Sequence, residues 1–293
     1  MSTELGLKIT ILCDNAAGLK GLAGRHGFSA LVETPSHRVM FDTGPPTDTA
    51  LDTAAALGIS LSGLDAVVIS HGHYDHIGGL AALLQATGPQ RVVAHPLAFR
   101  RRVARDVSGG LREIGPPVSK ECYERLGARW VWTSVPLTIG EGLRVTGKVP
   151  VAGPEQSDAG LLAEDHGELM NDDFADELAL VANSAQGPVV VTGCAHRGVA
   201  NIAAYAKHLT GSDTIGLIVG GFHLAGRNED SVAMVAERLN ALGVKAIAPC
   251  HCTGLAAVHV FQRAFAGRVV SLGTGDILAF GSEGEVEIQA SSG

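Results

Sequence analysis

Hydrophobic residues occur in short runs along most of the chain, and glycine, proline and polar residues separate these runs. Short runs bounded by turn residues predict strands, whereas alanine and leucine at helical spacing predict helices. The predicted strands cover residues 8–12, 28–33, 38–41, 66–69, 91–94, 177–182, 189–192, 214–219 and 245–248, with two more between 268 and 280. The predicted helices cover residues 48–57 and 230–242, and two more begin near residues 80 and 198. Strands and helices alternate in both halves, which predicts an α/β fold with helices on the outer faces of paired sheets.

The stretch from about residue 100 to 175 departs from this pattern, because it is richer in glycine, proline and charge. We expect loops and short strands there that form the rim of a pocket. No Pro-rich or Ser-rich linker divides the chain. We therefore predict one domain over residues 1–293, made of two similar halves.

Three histidines and one aspartate lie within six positions, directly after the hydrophobic run 66–69. Neutral imidazole and carboxylate oxygen are the ligands that zinc and similar divalent cations prefer. Side chains two positions apart on an extended chain point the same way, so the first two histidines can face one ion. This segment predicts a metal site, and its candidate ligands are His71, His73, Asp75 and His76.

Composition excludes several classes of function. A net charge of −8 gives no electrostatic case for binding nucleic acid. The five cysteines are an odd number and no basic, then apolar leader is seen, so a secreted disulfide framework is not expected. Since no apolar run approaches about 20 residues, we also expect no membrane span, and we predict a cytoplasmic protein whose oligomeric state stays open.

Further metal-ligand residues follow the later strands. Because parallel strands end at a common rim, we expect these residues to approach the first group. They are Cys194, His196, His223 and His251. Two cysteines flank the last histidine and are predicted to be structural, namely Cys250 and Cys252. The isolated histidines are predicted to be surface or core residues: His26, His37, His166, His208 and His259.

Several of these segments together resemble a known family. They are the Asp-Thr-Gly turn at 42–44, the histidine turn at 71–76, the acidic segment 171–177, and the sequences TGCAHRG (192–198), GGFHL (220–224) and PCHCTG (249–254). The set resembles the metallo-β-lactamase superfamily, and more narrowly its dihydropteroate-synthase-like branch, which includes synthases of a pterin ribofuranosyl-aminobenzene phosphate. The resemblance spans almost the whole chain and implies a four-layer αββα sandwich.

Carried over by position, the resemblance implies ligands for two metal ions. His71 and His73 would bind the first ion, and Asp75, His76 and His251 would bind the second. The usual proline-glycine-histidine-threonine motif and the Gly-Asp bridging carboxylate are missing. We expect His196 to replace the missing histidine, with His223 as the alternative. Cys194 stands where the bridging ligand would come, and the alternative is a buried, inert thiol.

For three other features, the sequence is compatible with two interpretations each. Asp42 is expected to orient a ligand or to hold its turn. The acidic cluster at Asn171, Asp172, Asp173 and Glu177 is either a solvated loop or a group in which Asp176 or Glu177 reaches the metals or a substrate amine. The run of Arg100, Arg101, Arg102 and Arg105 is either a solvated surface or a clamp for an anionic substrate group.

The predicted function is that of a metal-dependent hydrolase that uses a metal-bound hydroxide on a phosphoester or another ester-type small molecule. Asp75 would serve as ligand and proton acceptor, and the two cofactor ions would be zinc, with manganese or iron as alternatives. The first rival is a transferase that joins a pterin diphosphate to an arylamine-ribose phosphate. The second rival is an oxidoreductase with a single iron ion.

Overall fold

The computed structural model describes residues 5–153, 160–281 and 286–289, and the strands within them form sheets of eight, seven and four strands. The eight-stranded sheet contains β1 (Leu5–Cys13), β2 (Ser29–Glu33), β3 (Arg38–Phe41), β4 (Ala66–Val68), β5 (Gln90–Ala94), β8 (Ala128–Trp132), β18 (Ile277–Gly281) and β19 (Val286–Gln289). The seven-stranded sheet contains β9 (Leu137–Gly140), β10 (Leu143–Val145), β13 (Leu180–Ala182), β14 (Val189–Thr192), β15 (Leu217–Gly221), β16 (Ala246–Cys250) and β17 (Arg268–Val269). The four-stranded sheet contains β6 (Arg102–Arg105), β7 (Leu111–Glu113), β11 (Leu161–Asp165) and β12 (Glu168–Asn171).

Helices connect many of these strands. The α-helices are α1 (Thr49–Ala56), α2 (Tyr74–Ile77), α3 (Leu80–Thr87), α4 (Lys120–Arg125), α5 (Val199–Thr210), α6 (Glu229–Ala241) and α7 (Leu255–Ala264). Two short 3₁₀ helices cover Pro96–Phe99 and His251–Thr253. No helix in the described ranges combines the length and the apolar character that crossing a membrane requires.

Three hydrophobic cores define the order of the layers. The central core joins the facing sides of the two large sheets, with Val68 from β4 and Val191 from β14 among its members. A second core packs α5, α6 and α7 against the other side of the seven-stranded sheet. A third packs α1, α3 and α4 against the outer side of the eight-stranded sheet, through residues such as Val67. Helices therefore cover both outer faces, which confirms the predicted α/β four-layer sandwich.

The direction of the strands determines where the candidate site lies in the fold. In the first large sheet β3, β4 and β5 are parallel, and in the second β14, β15 and β16 are parallel. Parallel strands bring their carboxyl ends to one edge of the sheet. The residues that follow β4, β14, β15 and β16 therefore meet along one rim.

The region of about 100–175, for which we expect loops and short strands, contains seven strands of three to five residues among the described residues. It supplies β8, β9 and β10 to the large sheets and the whole four-stranded sheet. Its residues 154–159 lie outside the described residues. Strands of three to five residues carry too few alternating positions for a periodicity argument, so their individual bounds could not be predicted.

Candidate metal centre

The first group of ligand atoms belongs to three buried histidines: His71 and His73, after β4, and His196, after β14. Their ring nitrogens lie within 4.8 Å of one another. Burial lowers the pKa of all three well below the usual histidine value, and the charges of neighbouring histidines act the same way on His71 and His196. Neutral imidazole is the form that binds metal, so this group is suited to a cation.

Buried nitrogens without partners support the same fit. Within the described residues, Nε2 of His71, His73 and His251 and both ring nitrogens of His196 are buried and accept or donate no hydrogen bond. Leaving such atoms unpaired costs about 1–3 kcal/mol each. A cation at the centre of the histidines would satisfy them, and imidazole with carboxylate and thiolate suits zinc.

The second group surrounds Asp75, which lies in α2. Its Oδ2 is 3.8 Å from Nε2 of His76 and 3.6 Å from Nε2 of His251. Burial alone would raise the pKa of Asp75, but the charge of His76 and a hydrogen bond from His26 outweigh it and lower the pKa. The carboxylate is therefore ionised, as a metal ligand must be.

Cys194 lies between the two groups. Its Sγ is 3.2 Å from Nε2 of His76, and it lies within 4.8 Å of ligand atoms of both His71 and His76. A thiol at this point can contact the first and the second group at once. The structure thus brings together all seven predicted ligand residues: His71, His73, Asp75, His76, Cys194, His196 and His251.

Asp42 and Ser70 orient two of the rings. Asp42 Oδ2 lies 2.7 Å from Nδ1 of His76 and 2.6 Å from the Ser70 hydroxyl, which donates to it. Because this hydroxyl is used as a donor, it accepts the hydrogen bond from Nδ1 of His71 at 2.9 Å. Both histidines therefore use the Nδ1 proton in these hydrogen bonds, so Nε2 is the nitrogen that faces the candidate metal site.

The charge on Asp42 also affects His76 directly. Burial alone would lower the pKa of His76, but the negative charges of Asp42 and Asp75 outweigh burial and raise it to about 9. The surroundings of this ring therefore favour positive charge, which a divalent cation would supply.

His251 is oriented by a loop near the amino terminus. Its Nδ1 lies 2.9 Å from Oδ1 of Asn15, whose amide group donates back to the His251 carbonyl at 3.1 Å. Asp14 accepts the backbone N–H of His251 at 2.7 Å. Burial lowers the pKa of His251 to about 4, so its Nε2 is also available near neutral pH.

Backbone strain is concentrated at this rim. Five non-glycine residues there have a left-handed φ between 48° and 56°: Asp42, Phe174, Ala195, His223 and His251. Such conformations cost about 1–3 kcal/mol each and persist where surrounding contacts determine them, often at functional sites. Here they turn side chains at strand ends towards one point.

We expect Asp42→Asn to lower zinc affinity about 10–100-fold, the usual effect of losing a ligand's hydrogen-bond partner. The new amide nitrogen would donate to Nδ1 of His76 and so move the ring proton to Nε2, the nitrogen that faces the site. The measurement is the zinc Kd by competition with a chromophoric chelator. Asp48→Asn, an exposed aspartate at the start of α1, is the control, and equal Kd values for both variants would contradict this role.

The structure separates the two candidates for the missing histidine. His196 joins His71 and His73, and its ring stacks on Phe174 with centroids 3.7 Å apart. His223, after β15, instead shares a group with Cys194 and Cys252. The geometry therefore favours His196 in the first group.

Two arginines of the run pair with acidic side chains of the chain. Arg102 is fully buried, and its guanidinium donates to Asp172 and Asp176, at 2.6 Å in each case. Arg101 instead pairs at the surface with Glu113 and Glu164. The clamp interpretation does not fit these two arginines, because glutamate and aspartate side chains already pair with them, and the solvated-surface interpretation does not fit the buried Arg102.

Two carboxylates of the acidic segment accept hydrogen bonds from the backbone around the candidate ligands. Asp176 Oδ2 accepts the backbone N–H of Gly72, between the first two histidines, at 2.9 Å. Glu177 accepts the backbone N–H groups of His196 and Arg197 at 2.6 and 2.7 Å. Burial raises the pKa of Glu177 to about 7, although these two hydrogen bonds act against it. Both carboxylates thus hold the backbone around the candidate ligands, and the solvated-loop interpretation is wrong for Glu177, which is buried.

His26 is not among the predicted site residues, because it is predicted to be a surface or core residue. The side chain is more than half exposed, yet its Nε2 lies 3.0 Å from Oδ2 of Asp75. His26 and Asn15 belong to a glycine-rich loop between β1 and β2. Neither spacing nor hydrophobic pattern identifies them, because a loop can place its side chains at many points.

Comparison with known proteins agrees with this geometry. Residues 22–251 match the Metallo-beta-lactamase superfamily. The 7,8-dihydropterin-6-methyl-4-(beta-D-ribofuranosyl)-aminobenzene-5'-phosphate synthase of Methanocaldococcus jannaschii is 28% identical over 94% of this chain and 97% of its own. An uncharacterized protein of the same organism is 32% identical over 85% of this chain and 92% of its own.

Among solved structures, Tm1679, described as a metal-dependent hydrolase of the beta-lactamase superfamily, is 33% identical. It aligns with a TM-score of 0.81 over 94% of this chain and 99% of its own. The match to the superfamily over residues 22–251 covers most of the strands of the two large sheets and the residues of their shared rim. The chain therefore belongs to the metallo-beta-lactamase superfamily.

Proposed function

We propose that this protein is a metal-dependent hydrolase that acts on a phosphoester or a related ester of a small molecule. The observation that carries the proposal is the meeting of two ligand groups at Cys194, whose Sγ lies close to both His71 and His76. The similarity to Tm1679, which is described as a metal-dependent hydrolase, supports it. No serine nucleophile in a Gly-x-Ser-x-Gly motif is present in the sequence.

In this proposal His71, His73 and His196 hold one divalent ion, and Asp75, His76 and His251 hold the other, with Cys194 between them. Two divalent cations held there would lower the pKa of a shared water to about 7 and stabilise negative charge on the ester oxygens. Zinc is the ion we expect. Asp75 acts as ligand and proton acceptor, and its contact with the exposed His26 gives the proton a path to solvent.

A transferase reaction is the second candidate, and two observations favour it. The Methanocaldococcus relative is named as a synthase. There are also two cavities: one of about 260 Å³ borders His196 and His223, and another of about 610 Å³ borders Tyr74, which lies between His73 and Asp75 in the sequence. Two organic reactants have room there, and in that case an arylamine would take the place of water and displace diphosphate.

The test begins with elemental mass spectrometry of protein purified without added metal. The same sample is assayed on a generic phosphodiester and a lactone, and again after chelation and zinc restoration. About two zinc ions per chain with turnover that zinc restores supports the hydrolase. Diphosphate release from a pterin diphosphate only when an arylamine is present would replace it with the transferase, and about one iron without hydrolysis would replace both with redox chemistry.

A further inference from the structure

A second set of metal-ligand atoms lies beside the proposed metal pair. The ligand atoms of Cys194, His223 and Cys252 lie within 4.8 Å of one another. These residues follow the neighbouring parallel strands β14, β15 and β16. We propose that this trio, which we call the thiol group, binds its own zinc-like ion, at a third position that shares Cys194 with the pair.

The chemistry of the thiol group differs from that of the pair. Two sulfurs and one imidazole form a soft set, which selects zinc, cadmium or copper(I) over magnesium or manganese. Zinc sites with two cysteines and one histidine keep their fourth position for water or another small ligand. The described cysteines are all free thiols, so neither sulfur is used in a disulfide.

The strand ends are shaped so that the two sulfurs can approach each other. A Cβ on Gly221, the last residue of β15, would lie 2.7 Å from Sγ of Cys252 and 3.2 Å from Cα of Cys194. Only glycine leaves this space open. Two residues later, His223 has a φ of 48°, a left-handed conformation that directs the chain back at this point.

An ion also has a route to this position. Cys252 and His223 are only partly buried, whereas Cys194 is nearly fully buried. His223 lines the cavity of about 260 Å³, which extends to Arg227 and Met234 beside α6. A cation can therefore reach His223 from this cavity, which His196 of the first group also lines.

Metal content of the full-length protein tests this inference. After zinc loading and removal of loose metal, we expect wild type to hold about three zinc ions, namely the proposed pair and one ion in the thiol group. Cys252→Ser and His223→Ala should each hold about one equivalent less. Cys122→Ser, a thiol on α4 that contacts Ser119 and Arg125, is the matched control. Zinc content unchanged in Cys252→Ser would overturn the proposal.

The ultraviolet absorption of bound cadmium is a second measurement, which identifies the type of ligand. Cadmium bound by sulfur absorbs in the ultraviolet through a charge-transfer band, which cadmium bound by nitrogen and oxygen lacks. We expect His71→Ala to keep most of this band and Cys252→Ser to lose a large part of it. Charge-transfer bands of equal intensity in Cys252→Ser and Cys122→Ser would overturn the proposal that the thiol group binds metal.

An alkylation assay covers the case in which Cys252→Ser does not fold. In the His71→Ala background, zinc should slow the modification of Cys252 by iodoacetamide several-fold, measured by mass spectrometry of peptides. An unchanged rate with zinc would overturn the inference. Because the pair is tested through His71 and the thiol group through Cys252, failure of one proposal is distinguishable from failure of the other.

Discussion

We expect the His71→Ala variant to keep its fold and to lose most of its bound metal and its activity. His71 is fully buried, and its ring lies within 4.8 Å of ligand atoms in two groups. Its removal takes away a ligand atom that lies close to other candidate ligands in both of these groups. A metal ion contributes several kcal/mol to transition-state stabilisation. At about 1.4 kcal/mol per factor of ten, a loss of about 4 kcal/mol lowers kcat/KM about a thousand-fold.

The measurements are zinc content, kcat/KM on the substrate identified first, and circular dichroism to confirm the fold. His259→Ala is the control, because this histidine lies exposed on α7. Both variants should give the same far-ultraviolet spectrum. Full metal content in His71→Ala would rule out the ligand assignment.

The second large effect is on stability. We expect Arg102→Met to lower the free energy of unfolding by about 3–5 kcal/mol, since it leaves two buried carboxylates without their cation. Asp172 and Asp176 are both almost fully buried and each accepts a hydrogen bond from this guanidinium. For a chain of this size, such a loss corresponds to a fall in Tm of about 10 °C.

Thermal unfolding followed by circular dichroism measures this effect, with Arg101→Met as the matched control. Arg101 is adjacent in sequence and also contacts two carboxylates, but these contacts lie at the surface. Solvent screens such pairs, so we expect no measurable change in Tm. Equal Tm values for the two variants would show that the buried network does not stabilise the fold.

The fold could largely be predicted from local patterns. Hydrophobic runs located most strands of the two large sheets, and the predicted helix at 230–242 differs from α6 by one residue at each end. The rim was also predictable, because His71, His196 and His251 each follow a strand and parallel strands end together. The positions of strands, helices and strand ends depend on residues that are close together in the sequence, so the hydrophobic pattern predicts them directly.

Contacts across the chain could not be predicted in this way. Arg102 meets Asp172 and Asp176 only after the strands of the small sheet have paired, and spacing carries no information about that pairing. The choice between His196 and His223 depends on how each turn bends after its strand. Sequence identifies both as candidates, whereas the bend is set by packing around Phe174 and by left-handed backbone at Ala195 and His223.

The wide spacing of the candidate ligands also bears on how the protein is made. The histidine turn at 71–76 is synthesised about 180 positions before His251. At about 5–20 residues per second, the ribosome needs about 10–40 seconds to cover that distance. During this interval the nascent chain presents half of a metal site, which would bind ions weakly and with little selectivity. The cell's pool of available metal at the end of synthesis, rather than at its start, would then determine which ion the finished enzyme carries.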